Sequence, residues 1–110
     1  MQTIEATEDL AIMFASQRAI LFKHSTRCNL SASARRHVEQ FVESCPTANV
    51  FVINVVEHRS LSCEAESRLG VRHETPQVIL LENGQAVRDA SHRRVRVKTL
   101  ASWWNGDAQD

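Results

Sequence analysis

The sequence predicts an α/β domain with a central four-stranded mixed sheet flanked by helices. Three stretches carry that expectation. Asn49-Val50-Phe51-Val52-Ile53-Asn54-Val55-Val56 is an almost unbroken apolar, β-branched run, the pattern of a strand covered on both faces. The segment after Cys28 repeats apolar or small residues at Leu30, Ala34, Val38, Phe41, Val42 and Cys45, the spacing of one helical face. Asn83-Gly84 separates two strand-like runs with a pair suited to a tight hairpin, since both residues tolerate positive φ.

Taken in order, Thr7 is a candidate cap for a first helix. Glu8 and Asp9 would lie in its first turn, and Leu10, Ile12, Met13 and Phe14 would supply its apolar side. Gln17-Arg18 interrupts the pattern. Residues 19–22 read as the first strand, and the helix opened by Cys28 follows until Pro46, which cannot continue a helical ladder. Residues 49–56 form the second strand. Ser60 or Ser62 is expected to cap the next helix, with Leu61, Ala65 and Leu69 on one face and Gly70 as its stop. Residues 77–82 are a third strand and 85–90 a fourth, antiparallel to it. The last helix is expected over about 95–104, with Val97, Leu100, Ala101 and Trp104 inward. The order is α-βαβ-ββα, with a cysteine after the first strand and a proline before the third. That is the plan of a thioredoxin-like domain. The 110 residues are read as one such domain, with its core over about 19–104, a short helix ahead and a disordered C-terminal tail behind.

Thirteen basic residues balance thirteen acidic ones, so no global field points to nucleic acid or to a membrane surface. The run His92-Arg93-Arg94-Val95-Arg96 is basic but short, and reads as a solvated loop and helix start. The acidic N-terminus lacks the basic segment of a signal peptide, and no apolar stretch approaches the length of a membrane span. Three cysteines, at 28, 45 and 63, are odd in number and widely spaced. That argues for reduced thiols in the cytoplasm over a disulfide framework. With no C-x-x-C pair and scattered histidines, no metal site is expected, and no bound cofactor. The chain is expected to be a monomer or weak dimer.

The chemistry points to Ala19-Ile20-Leu21-Phe22-Lys23-His24-Ser25-Thr26-Arg27-Cys28-Asn29-Leu30-Ser31. A buried strand ends, a polar turn follows, and a cysteine stands where a long helix begins. There it faces unpaired N–H groups and the positive end of the helix dipole, both of which favour thiolate, the reactive species, over thiol. Arg27 adds a cation, and the Ser31 hydroxyl is a candidate donor to the sulfur.

Phe22-Lys23-His24-Ser25-Thr26-x-Cys28-x-x-Ser31 resembles the active-site segment of the monothiol bacilliredoxins, thioredoxin-like proteins of the bacillithiol system. The resemblance continues through Glu57-His58-Arg59-Ser60-Leu61-Ser62, Gly70-Val71-Arg72-His73-Glu74-Thr75-Pro76-Gln77-Val78, Glu82-Asn83-Gly84 and Ala90-Ser91-His92. One departure stands out: the family usually has Cys-Pro-Ile-Ser, whereas this chain has Cys28-Asn29-Leu30-Ser31. The resemblance implies thiol–disulfide exchange through Cys28, with bacillithiol or a similar small thiol as co-substrate and S-thiolated client proteins as partners. Ser31 stands where a thioredoxin has its second cysteine, so no internal disulfide can form there.

The remaining candidates are weighed with that fold in mind. Thr75-Pro76 resembles the loop in which a cis proline faces the active cysteine and the preceding backbone pairs with an extended substrate. His24, when protonated, is a candidate to hold the thiolate. Arg59 is the preferred carboxylate partner for the small thiol, because its fork suits bidentate pairing. His73 is read as structural, and Cys45 as inert packing at the far end of the helix. Cys63 is a candidate resolving thiol. Two other readings therefore stand beside the monothiol one: a two-cysteine oxidoreductase in which Cys63 resolves Cys28, and a non-catalytic thioredoxin-fold binding module.

Overall fold

The computed structural model describes residues 1–106. Its elements run β1 (Gln2–Thr3), α1 (Thr7–Ala15), β2 (Arg18–His24), α2 (Asn29–Ser44), β3 (Val50–Asn54), α3 (Arg59–Leu69), β4 (Gln77–Glu82), β5 (Gln85–Ser91), a 3-10 turn (His92–Arg94) and α4 (Val97–Trp104). Asn105 and Gly106 close α4, and the rest of the expected C-terminal tail lies outside the described residues.

The sheet is mixed, in the order β1-β3-β2-β4-β5. β1 and β2 run parallel to β3, whereas β2 and β4, and β4 and β5, are antiparallel. It therefore holds five strands among the described residues, one more than the sequence predicts. The addition is Gln2–Thr3, which pairs with Phe51 and Val52 and is extended by an Ile4 N–H donated to the Val52 carbonyl at 2.8 Å. Two residues are too few to carry a readable period. Only Ile4, fully buried, hints that this end of the chain is tied down.

Side chains alternate across the pleat and build two cores, one on each face. On one face Ile20, Phe22, Val50, Val52, Val78 and Leu80 pack with Ala34, Val38 and Phe41 of α2 and with Leu100 and Trp103 of α4. On the other, Ala19, Leu21, Phe51, Ile53, Ile79 and Leu81 meet Leu10 and Met13 of α1 and Ala65 of α3. Two covered faces explain why the central strands read as unbroken apolar runs. Each large side chain fully buried here contributes about 1.5–3 kcal/mol.

Local chemistry shifts several element ends. Thr7 is the first helical residue rather than the cap; Asp9 Oδ2 caps α1 by accepting the Glu5 and Ala6 N–H groups at 2.9 and 3.0 Å. Neither Ser60 nor Ser62 caps α3. Asn54 Oδ1 accepts the N–H groups of Val56 and Glu57, which ends β3 early, and α3 then starts after His58. Gly70 stops it in the left-handed conformation, at φ 68°. In α4 the buried residues are Leu100, as expected, and Trp103, while Trp104 is half-buried under the Arg18 guanidinium, which lies 4.2 Å from its ring centroid. The hairpin forms as expected: Asn83 and Gly84 have φ 52° and 77°, and a Cβ on Gly84 would fall 2.8 Å from the Phe14 carbonyl oxygen. Leu80 pairs with Arg88 and Leu81 with Ala86, so Val87 is the extra residue of a bulge that reshapes the outer edge of β5.

Candidate active site

β2 ends at His24, and the chain needs only three residues to reach Cys28 at the head of α2. That turn is held by its own serine: the Ser25 hydroxyl accepts the Arg27 N–H at 3.2 Å, and the Ser25 carbonyl accepts the Cys28 N–H at 3.4 Å. Cys28 is the N-cap of α2, with extended backbone at φ −120° and ψ 121°. Its carbonyl accepts the Ala32 N–H at 3.2 Å, the first bond of the helix. The thiol is free and half-buried, and it makes no hydrogen bond to the first turn. The helix-start N–H groups that a capping side chain usually occupies are thus left to whatever charge develops on the sulfur.

Ser31 takes a role the sequence did not assign to it. Fully buried, its Oγ accepts the Ser25 N–H at 3.2 Å, tying the first turn of α2 back to the end of β2. Asn29 occupies the first helical position, where an N–H has no intrahelical partner in any case. The family's proline at that place would therefore remove no helical bond.

Lys23 and His24 point to opposite faces beneath this turn. His24 is buried on the α2 side against Phe22, ring centroids 5.4 Å apart, and its Nδ1 has no hydrogen-bond partner among the described residues. Burial, and then the charge of Arg35, push its pKa below the usual histidine value, while the Ser31 backbone and Glu39 pull the other way. Burial thus favours the neutral ring over the protonated form that would hold a thiolate. Lys23 is 1% exposed on the α3 side. Burial lowers its pKa, and Glu66, Cys63 and Glu74 oppose that shift in that order.

The Thr75–Pro76 bond is cis and Pro76 is buried. Gln77 pairs with Lys23, so this loop lies beside the end of β2, at the edge of the sheet from which the Cys28 turn departs. The Thr75 hydroxyl is 3.2 Å from His73 Nε2, and the Pro76 carbonyl accepts the His92 N–H at 2.8 Å. Burial lowers the pKa of His73, with Lys23 adding to it and Glu66 and Glu74 opposing.

The other candidates fall elsewhere. Arg27 is exposed in the turn itself. Arg59 and Cys63 line a cavity of about 470 Å³ with Val55, Glu66 and His73, on the α3 side of the sheet, and Cys28 is not among its walls. Cys63 is free and exposed. Cys45 caps the far end of α2, about 25 Å from Cys28 at 1.5 Å per residue. Among the described residues no group of three His, Cys, Asp or Glu side chains is placed to hold a metal, and no helix is long and apolar enough to cross a membrane.

A mixed sheet between two helix pairs, a cysteine capping the helix after the strand, and a cis proline at the same sheet edge define a protein of the thioredoxin fold. Solved structures agree. One described as a proposed oxidoreductase with a thioredoxin fold superposes with a TM-score of 0.84 at 24% identity, covering 92% of this chain and 90% of that one. A mutant thioredoxin from Halobacterium salinarum matches with a TM-score of 0.77 at 17% identity, over 99% and 91% of the two chains. The thioredoxin of Fasciola hepatica matches with a TM-score of 0.77 at 12% identity, over 97% and 99%. The family model described as "Monothiol bacilliredoxin BrxC" matches residues 1–100. The chain belongs to that family, within the thioredoxin-fold thiol oxidoreductases.

Proposed function

We propose that this protein uses Cys28 alone to remove a low-molecular-weight thiol, bacillithiol or a close relative, from mixed disulfides on client proteins. The observation that carries the reading is the pairing of a free thiol at the head of α2 with a buried serine three residues on. The Cys28 thiolate attacks the small-thiol sulfur of the client mixed disulfide. The old S–S bond breaks, a Cys28–small-thiol disulfide forms, and the client sulfur leaves as a thiolate that takes up a proton. A second small-thiol molecule, as its thiolate, then attacks the adduct. It departs as the symmetric disulfide and returns Cys28 to the thiolate. Ser31 has no redox chemistry, so the adduct cannot collapse within the Cys28-x-x-Ser31 segment. Three free cysteines suit a reducing compartment such as the cytoplasm.

The test is a client protein carrying one small-thiol mixed disulfide, incubated with excess small thiol and catalytic amounts of this protein. The client should regain its free thiol with the native chain and with Cys45→Ser, and only at the background rate with Cys28→Ser. Equal rates with native protein and Cys28→Ser would reject the proposal.

A further inference from the structure

The run His92-Arg93-Arg94-Val95-Arg96, which the exchange chemistry does not use, is folded into a continuous wall. Arg93 and Arg96 border two adjoining cavities. The smaller, about 380 Å³, includes Leu30 and Ser33, within the first turns of the helix that Cys28 caps. The larger, about 550 Å³, adds Arg88, Arg94, Thr99 and Trp103 on the outer edge of β5. Arg93, Arg94 and Arg96 thus line the larger wall, where Asp89 is the one acid among the described residues. In a chain with equal numbers of acids and bases this is a marked segregation of charge.

The wall is rich in donors. Arg93 and Arg94 are exposed and form no ion pair among the described residues, and Arg96 spends its Nε on the Arg93 carbonyl at 2.9 Å. Trp103 is 4% exposed, and its Nε1–H has no acceptor among the described residues. The strip is also fixed to the reaction site. His92, at φ 56°, donates its N–H to the Pro76 carbonyl, and His37 Nδ1 accepts the Val97 N–H at 3.2 Å, tying α4 to α2.

We infer that this arginine strip docks an acidic segment of the client polypeptide, flanking the cysteine whose mixed disulfide Cys28 attacks. The inference rests on the exchange reading of Cys28 but is tested apart from it. Two open cavities in series suit an extended chain carrying several carboxylates better than a single small anion. Charge complementarity of this kind acts chiefly on encounter rate and partner choice.

The experiment uses a fluorescein-labelled, cysteine-free decapeptide of alternating Glu and Gly, so binding is read without any redox step. It should bind the native protein, lose affinity as salt rises, and bind Arg93→Glu/Arg94→Glu about tenfold more weakly, a loss on the scale of two reversed exposed charges. Arg94→Gln, which keeps a polar side chain at an exposed position, should give a smaller loss in the same direction. With two peptide mixed disulfides, one Glu-flanked and one Ser-flanked, native protein should reduce the acidic one faster, and the ratio should fall toward one in the double variant. Equal binding by native and variant proteins would overturn the inference. So would displacement of the peptide by an equal concentration of inorganic phosphate, or peptide binding that leaves the rate ratio at one.

Discussion

Ser31, read from sequence as a candidate donor to the Cys28 sulfur and as the replacement for a second cysteine, also ties the first turn of α2 to the end of β2. Its hydroxyl is the acceptor for a buried backbone N–H at Ser25. Ser31→Ala should therefore destabilise the fold by about 1–3 kcal/mol, the usual cost of stranding a buried donor. Denaturant titration checks it, and an unchanged midpoint would mean the bond contributes nothing. His24 gives the pH dependence. In the unfolded chain its imidazole takes up a proton near the ordinary value of about 6.5. In the folded chain burial lowers that pKa. As pH falls below about 6.5 the unfolded state binds its proton first, so stability drops until the pH passes the folded value and then levels off. His73, shifted in the same direction, adds to the drop. Chemical unfolding between pH 7.5 and 5 should show a shallower loss in His24→Asn than in the native chain; equal slopes would contradict the assignment. The places of Cys28 at a helix start and of Thr75-Pro76 before a strand were legible in the sequence because each stands at an element boundary. The downward shift of His24 was not legible, because it depends on burial and on the charge of Arg35, which lies a full helix turn past Ser31.

Elements were read well where periodicity was long and poorly where a side chain sets the boundary. Both β4 and the hairpin were fixed by pattern and by turn chemistry, and α2 by its apolar face. The start of α3 was misplaced because no side chain caps it: His58 is its N-cap without a side-chain bond, and Asn54 orders the turn before it by accepting the Val56 and Glu57 N–H groups. The end of α4 depends on a contact across the chain. Arg18 Nη1 and Nη2 donate to the Trp104 and Trp103 carbonyls at 3.1 Å each, and its plane stacks on Trp104. Two charge-assisted bonds to carbonyls at the helix end are involved, so Arg18→Ala should cost about 1.5–3 kcal/mol. Arg18→Lys should recover only part of that, since an ammonium lacks the fork and the stacking plane. Thermal unfolding of the two variants distinguishes these outcomes, and equal loss or no loss in both would remove the cap.

At the scale of the molecule, the sheet separates the helices that carry the thiols. α2 carries Cys28 and Cys45 on one face, and α3 carries Cys63 on the other, lining a cavity that does not include Cys28. A sequence reading could place Cys63 near the same edge of the sheet but not on a particular side, and its resolving role is the question for experiment. The most direct measurement of the central claim is intact-protein mass spectrometry after treatment with the disulfide form of a small thiol, on the native chain and on Cys63→Ser. The account predicts a persistent adduct on Cys28 in both proteins, absent from Cys28→Ser and cleared by excess small thiol. Loss of the Cys28 adduct from the native chain, with formation of a species lighter than the reduced protein by two hydrogens, and its retention in Cys63→Ser, would contradict it and establish a two-cysteine mechanism.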